Sequence, residues 1–114
     1  MSRSDQVYLQ DILESIEMIL NYIRNKTEFE FVNDLMLQDA VVRRFEIIGE
    51  ASSKISEIIK TENPEIQWRL MKGMRNKLIH EYFGVSPVTI YSTIQQDIPI
   101  LKEQLKKIVN SSNS

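Results

Sequence analysis

A chain of 114 residues with 42% hydrophobic content is long enough to bury one core and too short for a second. Its 16 acidic and 14 basic residues, net −2, exclude a basic coat that grips nucleic acid non-specifically, so any nucleic-acid contact is local. The absence of cysteine excludes disulfides and thiolate metal sites. A single histidine leaves only scattered carboxylates as other ligands, so no metal or cofactor is expected.

From Asp5 to Lys26, Leu9, Ile12, Leu13, Ile16, Ile19, Leu20 and Ile23 recur at steps of three and four, which predicts an amphipathic helix. Asp5, Asp11, Glu14 and Glu17 interrupt this stretch, so it is not a signal peptide. No segment approaches the roughly 20 apolar residues of a membrane span. The expectation is a soluble cytoplasmic protein without a membrane partner.

Thr27 to Asn33 reads as a short connection whose Phe29 and Phe31 fold back onto the bundle, with Asn33 as the cap of the next helix. That helix is expected from Asp34 to Lys60, carried by Leu37, Val41, Phe45, Ile48, Ala51, Ile55 and Ile58 or Ile59, with Gly49 marking a tight crossing. Asn63-Pro64 reads as a helix restart, giving a short extra turn around 64–71, with Trp68 facing the core or a partner. Gly73 marks a bend or a change of helical turn, and the helix then continues to Phe83 and stops at Gly84.

Ser86-Pro87 is a cap and first-turn pair for a last helix to Val109, which Pro99 kinks or breaks. The polar end, 111–114, is expected to be disordered. No β-alternation is present. The expected fold is all-α: one domain, 1–110, an antiparallel up-and-down bundle of four principal helices.

Charge is distributed unevenly. Residues 1 to 66 carry 13 acidic against 7 basic residues, whereas Gln67 to His80 carries Arg69, Lys72, Arg75 and Lys77 and no acid. The sole histidine lies in that basic stretch, and Tyr82 follows it. An arginine to bind phosphate, an imidazole to move a proton and a nearby phenol suit phosphodiester chemistry.

On a regular helix Arg75 and Tyr82 share a face, while His80 lies roughly 140° from Arg75. Either the helix is irregular near Gly73 or a second copy completes the site. Metal-free RNA cleavage by the 2′-hydroxyl favours the second copy, because one group must take a proton and another give one. A two-fold dimer supplies two imidazoles and two guanidiniums. Composition alone leaves the histidine open, since a lone histidine near a helix end is more often a cap or a satisfied core group.

Arg75-Asn-Lys-Leu-Ile-His80-Glu-Tyr82 resembles the signature of the HEPN superfamily in its HepT-like toxin branch. Asp11-Ile-Leu-Glu-Ser-Ile-Glu17, Gln38-Asp-Ala-Val41, Glu46-Ile-Ile-Gly-Glu-Ala51, Pro64-Glu-Ile-Gln-Trp68, Gly73-Met-Arg-Asn76 and Tyr82-Phe-Gly-Val85 are similar to that branch in the same order. The resemblance runs from Val7 to Leu105.

It implies a HEPN-like bundle and a metal-independent endoribonuclease, the toxin of a toxin–antitoxin pair, leaving 2′,3′-cyclic phosphate and 5′-hydroxyl ends. By that resemblance Arg75 and His80 would be the catalytic pair at a homodimer interface; the basic stretch itself sets Arg69, Lys72 and Lys77, with Asn76, along the RNA strand, a tRNA or an mRNA. The implied partner is an MntA-like nucleotidyltransferase antitoxin that adenylylates Tyr82. The rival reading is a non-catalytic helical subunit docked on a minimal nucleotidyltransferase.

Overall fold

The computed structural model describes residues 1–80 and 86–112, with side chains for all of these except 75–80 and 112. Seven helices follow one another and no strand occurs among the described residues: α1 Arg3–Ile23, α2 Glu28–Val32, α3 Leu35–Ser53, α4 Glu57–Glu62, α5 Trp68–His80, α6 Pro87–Gln96 and α7 Ile98–Ser112. The all-α bundle expected from the sequence is present. Of its four principal helices, two are divided.

The periodicity of α1 buries Leu9, Ile12, Ile16, Ile19 and Ile23 on one side. Ser2 starts the helix by accepting the Asp5 backbone N–H at 3.1 Å, and Asn25, at φ 62°, reverses the chain after it in the left-handed region that asparagine tolerates. The connection that follows is helical. Thr27 and Glu30 form a reciprocal capping box, each backbone N–H bonded to the other's side chain at 3.1 Å, which closes the single turn of α2.

Only Phe31 of the aromatic pair folds inward. Its ring lies 5.7 Å from that of Tyr91 on α6, while Phe29 stays exposed because α2 turns it to the opposite side. Asp34, not Asn33, caps α3, accepting the Leu37 N–H at 3.0 Å; Asn33 instead ends α2 by donating its amide to Phe29 O.

The helix expected from Asp34 to Lys60 breaks after Ser53. The hydroxyls of Ser52 and Ser53 donate to the carbonyls of Gly49 and Glu50, and Ser56 then caps α4 with no side-chain cap bond of its own. What holds the corner comes from 51 residues away. Asp5 Oδ1 accepts the Ser56 N–H at 2.9 Å and Oδ2 accepts the Ser56 hydroxyl at 2.7 Å. Apolar periodicity did not reveal this break because Ala51, Ile55 and Ile59 stay in the core before, within and after it.

Pro64 does not restart a helix: residues 64–66 turn, and α5 begins at Trp68. Gly73 brings no change of helical turn either, since α5 is α-helical from Trp68 to His80. The expected continuation through Phe83 and the stop at Gly84 lie outside the described residues. Ser86 caps α6 as expected, accepting the Val88 N–H at 3.2 Å with Pro87 behind it. Pro99 falls in the first turn of α7, where its missing N–H costs no helical bond, and the chain breaks at Asp97. The polar end expected to be disordered is helical as far as Ser112; Asn113 and Ser114 lie outside the described residues.

The core gathers α1, α3, α5, α6 and α7. Phe45, Ile48, Met71, Ile94, Ile98 and Leu105 are among its fully or nearly fully buried members. α3 packs most extensively against α5 and α1. Lys102 of α7 pairs with Glu17 of α1 at 2.7 Å, and Tyr91 donates to Lys26 O at 2.9 Å, tying the last two helices to the first.

Asp5 is 4% exposed. Burial alone would raise its carboxyl, but hydrogen bonds from the Ser56 backbone and hydroxyl and from Ser2, helped by the amino terminus, outweigh this and hold it below its ordinary value. A carboxyl that titrates lower folded than unfolded contributes fully above its unfolded value. That contribution is lost as pH falls through the folded one. Asp5→Ala is expected to cost about 2–3 kcal/mol at neutral pH, the scale of hydrogen bonds to a charged acceptor, measured by urea denaturation. Asp5→Asn should lose less and flatten the acid limb of the stability–pH curve; an unchanged acid limb would count against this role.

Candidate functional site

α5 carries the basic stretch, and its rotation follows from its apolar residues. Met71 and Met74 are buried in the core, which turns Arg69 and Lys72 to the exposed side. Leu70 and Trp68 are half-buried against the core. Trp68 therefore faces inward, and its indole N–H donates to Asn63 O at 3.0 Å, fixing the turn that leads into α5. No acidic residue stands in the first turn of α5.

Arg69 and Lys72 share the wall of an open cleft of about 630 Å³ between the start of α5, the 64–67 turn and the α3–α4 corner. Lys60 of α4 lines the same cleft, joined by Glu57 and Glu65. Lys60 lies 3.9 Å from Glu57, whose side chain is 89% exposed, so the pair is loose and screened. The sequence reading missed Lys60, because eight residues and a helix break separate it from Arg69. The signal available was its position in the last turn of an apolar-periodic segment, ahead of Asn63-Pro64.

Arg75, Asn76, Lys77 and His80 lie on α5, and their side chains are outside the described set, as is the whole of Tyr82. What the backbone does give is an uninterrupted helix through both Arg75 and His80. Positions five apart on such a helix are roughly 140° apart around its axis. The backbone of α5 therefore does not set Arg75 and His80 side by side on one face. Among the described residues no group of three or more histidine, aspartate or glutamate side chains is placed to hold a metal ion, and no helix is long and apolar enough to cross a membrane.

A family model described as "Ribonuclease HepT-like" matches residues 12–108. The chain belongs to the ribonuclease HepT-like family. The match takes in α1 from its third turn to nearly the end of α7, so the HepT-like assignment covers most of the described bundle and the basic stretch together. "Probable ribonuclease HepT" of Thermococcus cleftensis is 46% identical over 108 residues, spanning 95% of this chain and 98% of its own length. A relative in Methanocaldococcus jannaschii named as a candidate RNase is 41% identical over 107 residues, 94% of this chain and 88% of its own length. Another so named, in Caldanaerobacter subterraneus, is 37% identical over 107 residues, covering 94% and 96% of the two chains. No solved structure matches the chain. The family is one of ribonucleases, and the basic stretch of this HepT-like chain is its candidate site.

Two measurements test the geometry. A Cβ built on Gly73 meets nothing within 4 Å, so Gly73→Ala should add about 0.5–1 kcal/mol of stability, read as a raised melting temperature. A lowered one would show that the helix needs glycine there. Arg69→Gln and Lys72→Gln should each weaken RNA binding alike across sequences and reduce the salt slope of log K by about 1, as the loss of one phosphate contact does. A salt slope unchanged in both variants would remove the cleft wall from the RNA path.

Proposed function

We propose that the chain is a metal-independent endoribonuclease acting as a homodimer, and the toxin of a toxin–antitoxin pair. The observation that carries this reading is the Arg75 and His80 spacing on one continuous helix in a chain of the ribonuclease HepT-like family. Because one helix does not set these two positions side by side, a two-fold axis alongside α5 supplies the second set.

The chemistry follows from what RNA itself provides. The 2′-hydroxyl oxygen attacks the adjacent phosphorus, forming the P–O2′ bond as the P–O5′ bond breaks. One His80 imidazole takes the 2′ proton, and the partner's His80 gives a proton to the departing 5′ oxygen. The products are a 2′,3′-cyclic phosphate and a 5′-hydroxyl. Arg75 pairs with the non-bridging oxygens, whose negative charge grows toward the transition state. Arg69, Lys72 and Lys77 hold neighbouring phosphates, and Asn76 adds amide hydrogen bonds; a tRNA or an mRNA presents such a strand.

Control of a toxin by covalent modification suits the same site. An MntA-like nucleotidyltransferase that attaches AMP to Tyr82 places a phosphodiester charge and a nucleoside two residues from His80. The tethered group competes with RNA for Arg75.

The test is purified protein with total RNA in EDTA, with end analysis. Wild type should cleave to cyclic phosphate ends, while Arg75→Ala and His80→Ala, folded by circular dichroism, lose at least about a hundredfold in rate, the scale of a general acid–base group. Co-refolded mixtures of wild type and His80→Ala should lose activity as the square of the wild-type fraction. A linear fall would show that one imidazole per cleft suffices. Intact RNA with folded, unmodified wild type would replace the nuclease with a subunit that docks on a nucleotidyltransferase.

A further inference from the structure

The corner between α2 and α3 exposes three large apolar side chains within eight residues: Phe29 at 77%, Leu35 at 72% and Met36 at 85%. Their backbone is held firmly. The Thr27–Glu30 capping box closes α2 at its start, and the buried Gln38 amide donates to Phe31 O and Val32 O at 2.9 and 3.0 Å, fixing the end of α2 to the first turns of α3. Apolar groups presented on a fixed frame lose little backbone freedom on binding, so a contact here costs less to form than one on a loose loop.

The surroundings are predominantly acidic, with Lys26 as the cation that acts on Glu30. Glu28, Glu30 and Asp34 stand among the three apolar residues, and no basic residue occurs between Thr27 and Val42. Hydrogen bonds from the Thr27 backbone and hydroxyl draw the Glu30 carboxyl below its ordinary range, so it stays ionised. An acidic rim repels RNA phosphate and anionic lipid. A two-fold contact of this face with itself would set like charges against each other.

We propose that the α2–α3 corner is a docking surface for a basic protein partner, one that presents an apolar helix face flanked by lysine or arginine and takes Phe29 and Met36 as its anchors. The surface lies on other helices than the basic stretch of α5, and the inference does not rest on the nuclease reading.

The test uses the full chain and two synthetic amphipathic helical peptides with the same leucine face, one flanked by lysines and one by glutamates. Isothermal titration should show binding of the lysine peptide, weakened by salt, and none of the glutamate peptide. The Phe29→Ser/Met36→Ser protein, folded by circular dichroism, should bind the lysine peptide at least about tenfold more weakly, as expected when anchor residues are lost. Equal affinity of the double variant overturns the proposal. So does a fall in its mass by sedimentation equilibrium, which would make the corner a contact between copies of this chain. Weakened binding of a single-stranded oligonucleotide by the variant also overturns it, assigning the corner to RNA.

Discussion

Burial of Met71 and Met74 in the core that α5 shares with α3 decides which way the basic stretch points. Each buried methionine contributes about 1.5–3 kcal/mol of transfer free energy, so α5 cannot rotate without exposing both. Arg69 and Lys72 are therefore held at the surface by residues that touch no substrate. α3 lies between α5 and α1, and Asp5 of α1 secures the corner after α3, so the first helix supports the cleft wall from behind. A charge pattern visible in the sequence becomes a directed one only through this packing.

The helices were legible where local chemistry specified them. Seven apolar residues at helical spacing defined α1, and Ser86-Pro87 marked the start of α6 to the residue. Errors came where two local rules competed or where a distant residue decided. Asn33 and Asp34 are both good caps, and the Asn33 amide is engaged in ending α2 while Asp34 caps α3. The break at Lys54 to Ser56 keeps apolar periodicity on both sides, and its cause, Asp5, is 51 residues away. Gly73 looked like a bend because glycine disfavours helix interiors, yet burial of Met71 and Met74 on either side of it outweighs about 1 kcal/mol of propensity.

For the site, the sequence placed Arg69, Lys72, Arg75, Asn76, Lys77 and His80 on one segment, and they do lie on one helix. It did not single out Lys60, which reaches the cleft because α4 lies beside the 64–67 turn. Nor could periodicity decide between an irregular helix and a second copy. The structure adds that α5 runs without interruption through both Arg75 and His80.

The short helix α2 has a consequence for motion. Five residues do not hold a helix in water by themselves, because nucleation fixes several dihedrals for each hydrogen bond gained. α2 persists through bonds at both ends, the capping box at Thr27 and the Gln38 amide at Phe31 and Val32. Such a segment opens as a unit only once Phe31, fully buried beside Tyr91 of α6, also leaves the core. Its backbone amides would therefore exchange with solvent together and sooner than those of α3, and any surface built on α2 lasts only as long as that unit stays closed.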